Sequence, residues 1–269
     1  MAELWEIIQK SKRICFFGGA GVSTESGIPD FRSSKGIYSQ DYGGLPPEEI
    51  LSHSFFIKKP ELFYRFYREK MIFTQAKPNG AHYALAYLEE KGVLNAVVTQ
   101  NIDGLHQAAG SKNVIELHGS VYRNFCMGCG EYYSLEYVMS SEGVPRCEKC
   151  GGLVRPDVVL YEESLDSEVI ERAVNSIQSA DTLIIGGTSL AVYPAAGLIR
   201  YFRGDDLVVI NKSPTFADSY ATLVINGSIA KSLSEAVNSH NHRLSRWLAP
   251  ALEGHDTGET PQGVLNGPP

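Results

Sequence analysis

The chain has 269 residues, 43% of them apolar, and a formal net charge of −7. That apolar share suffices for one large domain, or one domain with a small module, and the acidic balance argues against a broad basic face for nucleic acid. No run approaches the ~18 apolar residues of a membrane span, and the first twelve residues read as an amphipathic helix without a signal-peptide pattern, so no membrane association and a cytoplasmic location are expected.

In chain order, β-branched apolar runs predict strands at 14–17, 96–99, 114–117, 158–161, 182–185, 207–210 and 223–225. Helical periodicity predicts helices at 3–11, 60–73, 80–91, 165–178, 192–203 and 229–238. The strand runs lack clear alternation, which suits burial on both faces. The alternation of strand and helix predicts an α/β fold: a Rossmann-like parallel sheet with helices on both faces. Two stretches interrupt it. Residues 36–75 are aromatic and helical, and 120–155 hold cysteines, glycines and short irregular pieces. Both read as insertions forming a smaller helical and zinc-ribbon domain, with 1–35, 76–119 and 156–240 as the discontinuous main domain and a ligand cleft between the two. The Gly, Pro and polar content of 241–269 predicts a disordered tail.

Cys126, Cys129, Cys147 and Cys150 form two C-x2-C pairs, with Gly128, Gly130 and Gly151 at the knuckles. This is zinc-ribbon spacing, and four thiolates close a tetrahedral structural site with no open position; a redox C-x2-C is the alternative. Gly18-Gly19-Ala20-Gly21 follows the first strand, where glycines allow a sharp turn and close approach of backbone amides to a phosphate. Thr24 stands where the full dinucleotide fingerprint has its third glycine, so a plain tight turn is the competing reading. Asn101 and Asp103 lie just past a strand end, facing the ligand crevice or capping a helix. His118 follows another strand and could act as a general base near neutral pH. It is one of seven histidines, and spacing alone does not choose among them. Asn211 ends a late strand, where its amide could hold a ribose.

The blocks Gly19-Ala20-Gly21-Val22-Ser23 with Ser26-Gly27-Ile28-Pro29-Asp30-Phe31-Arg32, Thr99-Gln100-Asn101-Ile102-Asp103-Gly104-Leu105-His106, Glu116-Leu117-His118-Gly119 and Gly187-Thr188-Ser189-Leu190 with Val192-Tyr193-Pro194-Ala195-Ala196 together closely resemble the sirtuin family over about residues 5–240. The resemblance implies an NAD-dependent protein-lysine deacetylase that consumes NAD, releases nicotinamide and transfers the acyl group to ADP-ribose. It implies catalytic roles for His118, Asn101 and Asp103. It also implies an NAD site of Gly19, Ala20, Gly21, Thr24, Asp30, Phe31, Arg32, Gln100, Asn101, Ile102, Asp103, His118, Gly187, Thr188, Ser189, Asn211, Lys212 and Ile229. The zinc would be structural, one per chain, and the partners acyl-lysine proteins or peptides met by a monomer. Gly119 is expected to leave room beside His118 for a ribose. Mono-ADP-ribosyl transfer, a non-catalytic NAD sensor and a hydride-transferring dehydrogenase are the competing readings.

The match departs at two places. Tyr161 and Glu162 stand where the family has Phe and Gly in a loop that borders its acyl-lysine channel. The Tyr-x-x-Arg of members that prefer acidic acyl groups is absent: Tyr64 is followed at that distance by Tyr67, and Tyr67 by Lys70, although Arg65 and Arg68 are close in sequence.

Overall fold

The computed structural model describes residues 2–31, 36–37, 42 and 44–238. Six strands form the main sheet: β1 (Ile14–Gly18), β2 (Leu94–Thr99), β3 (Val114–Glu116), β7 (Thr182–Gly186), β8 (Asp206–Asn211) and β9 (Leu223–Asn226). Their spatial order is β3-β2-β1-β7-β8-β9, and every neighbouring pair is parallel. The chain starts in the middle, winds outward to β3, and returns to build the other half from β7. The order reverses between β1 and β7, and a crevice opens at the carboxyl ends of strands at such a point.

The central strands are buried along their full length, as the unbroken apolar runs predict. Their side chains alternate between two cores. Ile14 and Phe16 join α1 (Ala2–Lys10), α5 (Gly80–Glu90) and α9 (Ile229–Asn238) on one face. Cys15 and Phe17 join α8 (Ser167–Gln178) and the 3₁₀ segment Ala195–Tyr201 on the other. Asn79 starts α5 with a capping box: its side chain accepts from the Ala81 amide at 2.9 Å, and its own N–H donates to His82 Nδ1 at 3.1 Å.

Two excursions of the chain, one between β1 and β2 and the other between β3 and β7, build a smaller module with its own cores. The helices α2 (Pro47–Ile50), α3 (His53–Lys58) and α4 (Pro60–Lys70) bury Phe56, Phe63, Tyr64, Phe66 and Tyr67. An antiparallel sheet of order β5-β4-β6 packs beside them, made from β4 (Gly119–Cys126), β5 (Tyr132–Ser134) and β6 (Val154–Val158). The helix α7 (Leu135–Ser140) adds Leu135 and Val138 to the aromatic core.

Two strand expectations need correction. The strand expected at 158–161 does not join the parallel sheet; Val158 ends β6, which pairs antiparallel with β4. The apolar run Val158–Leu160 was a fair strand signal, but Val159 packs against the sheet's second core while Leu160 joins the aromatic core, so the run bridges two layers. The region 120–155, expected to be irregular, contains all but the first residue of the eight-residue β4. Its polar Ser120, Arg123 and Asn124 and the register shift between Ser120 and Asn124 hide the strand period. The predicted tail at 241–269 and Arg32, expected to contact the cofactor, lie outside the described residues.

His82 of α5 and His106 of the short helix α6 (Leu105–Ala108) are buried side by side beneath the sheet, at 0% and 1% exposure, with ring centroids 4.7 Å apart. Burial lowers both pKa values, that of His106 to about 4 and that of His82 well below 6.5. The folded chain keeps these rings neutral while the unfolded chain protonates them. The unfolded state therefore gains protons as pH falls, and stability present above pH 6.5 is lost on the way down to about 4. Urea unfolding at pH 7 and pH 5 should show His106 alone costing ~2 kcal/mol, at ~1.4 kcal/mol per pH unit below the ordinary pKa. His106→Phe should flatten this acid limb.

Candidate functional site

The loops after β1 and β7 meet at the switch point, backbone against backbone. The Gly21 N–H donates to the Gly187 carbonyl at 2.8 Å. A Cβ on Gly21 would lie 2.8 Å from the Gly187 backbone, and one on Gly187, whose φ is +58°, would lie 2.4 Å from the Val22 nitrogen. These glycines exist for loop-to-loop contact, and the Gly21 amide, expected to face a phosphate, is spent on Gly187. Gly19 is confined by Thr188, whose Cβ would stand 2.9 Å from an added methyl.

Above this contact lies a cleft of about 580 Å³ between the sheet and the smaller module. Gly19, Ala20, Gly21, Thr24, Asp30 and Phe31 line it from the first loop, and Gln100, Asn101, Ile102 and Asp103 from the segment after β2. His118 comes from the turn after β3, Gly187, Thr188 and Ser189 from the loop after β7, Asn211 and Lys212 from the end of β8 and the residue after it, and Ile229 from the start of α9. Every catalytic and cofactor residue expected from sequence that lies among the described residues lines this one cavity.

A buried polar knot holds the centre. Ser23 is fully buried; its Oγ donates to Asp103 Oδ2 at 2.6 Å and accepts from Asn101 Nδ2 at 3.1 Å. The Leu105 N–H donates to Asp103 Oδ1 at 2.9 Å. Burial raises the Asp103 pKa, and these two hydrogen bonds oppose the shift. Gln100 Nε2 donates to Thr188 Oγ1 at 3.1 Å and so ties the two halves of the sheet. Ser23 was absent from the expected site residues; its place in the first block, one residue from the glycine turn, was the signal. Asn79, from outside that block, braces the same loop by donating to Val22 O at 2.8 Å and Ser26 Oγ at 2.9 Å.

His118 Nδ1 lies 3.0 Å from the Gln100 carbonyl, so Nδ1 carries the proton and donates to it, leaving the Nε2 lone pair free to accept a proton. Burial lowers the His118 pKa from 6.5, with the Gln100 bond partly opposing. The ring is therefore neutral at neutral pH. Gly119 serves a different purpose from the one expected: its φ is +77° and an added Cβ would lie 1.9 Å from the Asp157 carbonyl oxygen, so it admits the crossing of β4 and β6.

The remaining cleft walls come from the smaller module. Tyr67 and Lys70 line it from α4, and Val158 to Glu163 from the loop after β6. Arg68 instead donates from Nε to the Val138 carbonyl at 3.0 Å, and neither it nor the exposed Arg65 lines the cleft. Lys70 Nζ is 3.0 Å from Glu69 Oε1.

At the far end of the module the four cysteine sulfurs lie within 4.8 Å of one another. The Cys126–Cys150 and Cys129–Cys147 sulfurs are 3.4 and 3.5 Å apart, well beyond the ~2.05 Å of a disulfide. They approach the ~3.8 Å edge of a tetrahedron with Zn–S bonds of ~2.3 Å. The Gly128 N–H donates to Cys126 Sγ at 3.3 Å and the Tyr133 hydroxyl to Cys147 Sγ at 3.2 Å, outer contacts of the kind that orient thiolate ligands. The donor set and spacing fit a structural zinc.

A doubly wound sheet with its polar cleft at the switch point, and a thiolate cluster in an inserted module, defines a nucleotide-binding α/β protein with a structural metal. Residues 19–194 match the Sir2 family. An NAD-dependent protein deacetylase of Clostridium acetobutylicum is 62% identical, the match covering 87% of this chain and 97% of that protein. Its Clostridium perfringens counterpart is 61% identical over 88% of this chain and 98% of its own. Among solved structures, a Sir2–p53 peptide–NAD+ complex is 40% identical, with a TM-score of 0.77 over 93% of this chain and 99% of that one. A Sir2 variant with deacetylated p53 peptide and 3′-O-acetyl ADP ribose is also 40% identical, with a TM-score of 0.78 over 91% and 97% of the two chains. The chain belongs to the Sir2 family.

Metal analysis of the purified protein should give about one zinc per chain. Cys126→Ala should lose the metal and unfold the β5-β4-β6 sheet, because metal binding and local folding are coupled. A zinc-free Cys126→Ala protein with unchanged stability and activity would overturn the assignment.

Proposed function

We propose that the cleft is the active site of an NAD-dependent protein-lysine deacetylase in which His118 is the general base. The observation that carries the residue assignment is the His118–Gln100 hydrogen bond, which sets the tautomer and leaves Nε2 as acceptor. The enzyme class agrees with relatives named NAD-dependent protein deacetylases at 62% and 61% identity over nearly their whole length.

The residues present fit NAD as co-substrate. The glycine contact keeps side chains off the floor of the cleft at the switch point, and Asn211 and Lys212 line it where β8 ends. When bound, NAD supplies an ADP-ribosyl group whose bond to nicotinamide breaks as the acyl oxygen of the lysine substrate takes its place. Asn101 and Asp103, braced by Ser23, present amide and carboxyl groups to the nicotinamide end. Ala20, Phe31 and Ile102 supply apolar surface there, which excludes water from a reactive centre. Thr24, Asp30, Gln100, Thr188 and Ser189 complete the proposed cofactor contacts, with Ile229 beside the adenosine end. His118 Nε2 takes the proton of a ribose hydroxyl and holds it as imidazolium, with Nδ1–H anchored on Gln100. Mono-ADP-ribosyl transfer would use the same pocket and is separated by mass spectrometry of enzyme and peptide after reaction.

We also propose a monomer acting in the cytoplasm on acyl-lysine proteins, without nucleic acid. Four closely spaced cysteines that form no disulfide suit a reducing compartment, and the acidic charge suits lysine-bearing partners. No helix among the described residues is long and apolar enough to cross a membrane.

His118→Ala should fold, bind zinc and bind NAD, yet lose about 10²–10⁴-fold in deacetylation. Nicotinamide exchange should survive better, since the first displacement needs no base. Because burial lowers the His118 pKa, the base form persists below pH 6.5, and the acid limb of kcat/KM in the wild-type enzyme should fall below that value. Unchanged turnover in a folded, zinc-loaded His118→Ala protein would exclude this role.

The cleft wall also sets acyl choice. On the side of the smaller module the cation lining it is Lys70, already paired with Glu69, and no guanidinium reaches it among the described residues of α4. A buried carboxylate needs a positioned counter-charge to offset its desolvation. Acetyl-lysine peptides should therefore show higher kcat/KM than matched succinyl-lysine peptides, and equal rates would mean that Lys70 leaves Glu69 for the substrate.

A further inference from the structure

The loop after β6 holds a residue whose backbone and side chain make opposite demands. Glu162 has a φ of +77°, a left-handed conformation that favours glycine. Glycine would adopt it without strain, yet this chain carries a glutamate. Its carboxylate reaches across to α3, where Oε2 accepts from the Ser54 N–H at 2.8 Å and Oε1 from the Ser54 hydroxyl at 3.0 Å. The residues on either side are tied to the same place. The Tyr161 N–H donates to Leu51 O and the His53 N–H to Tyr161 O, each at 3.0 Å. Glu163 receives Arg155 through two nitrogens at 2.8 and 3.0 Å, with His53 Nδ1 at 2.7 Å.

Three consecutive residues thus fasten to one short stretch of the helical module. The start of the loop is fastened to the reacting end of the cleft, since the Val159 N–H donates to the His118 carbonyl at 3.0 Å. Between these anchors the segment forms a wall of the cleft, and Tyr161 and Glu162 also border a second groove of about 480 Å³ outside it. Backbone pairing and the Glu163 cluster would hold the loop near α3 whatever stood at 162. The Glu162 carboxylate adds a fixed angle: it clamps the turn that aims Tyr161 between cleft and groove.

Resting on the reading of this cleft as a deacetylase site, we propose that Glu162 is a positioning residue for the acyl-lysine segment, gripping Ser54 to hold the Tyr161 turn as a fixed wall of the substrate path. Its role is exerted on the peptide and not on NAD, whose expected contacts lie across the cleft on the sheet.

The test is steady-state kinetics on zinc-loaded full-length protein with an acetyl-lysine peptide and NAD varied separately, for Glu162→Gly, Glu162→Gln, Ser54→Ala and the Glu162→Gly/Ser54→Ala pair. Glu162→Gly relieves the backbone and removes the clamp. It should raise the peptide KM about threefold to tenfold, the loss of roughly one charge-assisted hydrogen bond, while Tm is held or raised and the KM for NAD stays within about twofold. Glu162→Gln keeps an acceptor and should recover part of the peptide KM. Ser54→Ala should cost less, and nothing further once Glu162 is glycine. An unchanged peptide KM in Glu162→Gly would overturn the proposal. So would a parallel loss of Tm, peptide affinity and NAD affinity, which would mark a purely structural residue. Failure of the underlying reading would show separately, as wild-type protein without NAD-dependent deacetylation.

Discussion

The contact between Gly21 and Gly187 constrains everything else in the site. Two loops from opposite halves of a doubly wound sheet must touch backbone to backbone, and a single methyl group on either would stand 2.4–2.8 Å from main-chain atoms of the other. Only with that contact closed does Ser23 sit beneath Asn101 and Asp103, and only then does Gln100 reach Thr188 across the switch point. The cleft is thus floored by main chain and furnished by side chains that hold one another in place. Few of its polar groups need to reorganise when a charged ligand arrives, which is the condition for preorganised electrostatics.

The second half of the site is borrowed from the smaller module, and His118 sits at the seam. Its ring is oriented by a carbonyl of the sheet segment after β2, while its own carbonyl receives Val159 from the loop after β6. Arg123 reinforces the same seam, bonding Glu116 at 2.6 Å and Asp157 at 2.7 Å. Relative motion of sheet and module would therefore be felt first at the residue proposed to move the proton. Distance does not isolate the thiolate cluster from this seam. Cys126 ends β4, whose first residue follows His118, and Val154 starts β6, whose end feeds the cleft wall.

Much of this was legible in the sequence, for physical reasons. Strands buried on both faces must be continuously apolar, so 14–17, 182–185 and 207–210 could be placed. The two C-x2-C pairs admit few arrangements, and the sulfurs do converge. Legibility failed where one signal had two causes. Val158–Leu160 is apolar because it packs against two separate cores, not because it is a central strand, and Pro156 fits an edge strand such as β6. The helix expected at 192–203 is a 3₁₀ segment from Ala195 to Tyr201, since side-chain period alone does not separate these two geometries over so short a run. Gly21 and Gly119 were read as making room for ligand, when each makes room for another strand or loop of the same chain. Ser23 escaped because a serine near a glycine turn looks like any turn residue until its two partners, some 80 positions away, are in place.

The pairing of Gly119 with Val158 has a consequence for how such a chain can change over time. The antiparallel excursion between them leaves and re-enters through adjacent positions, so it behaves as a side branch whose two roots are fixed together. The entropic cost of closing a branch grows only with the logarithm of its length, about 0.6 kcal/mol per doubling. Residues can thus be gained or lost beyond the roots without reopening the junction, provided the four thiols still converge. Lineages can remodel the outer knuckles to meet new proteins while the nucleotide crevice is inherited intact.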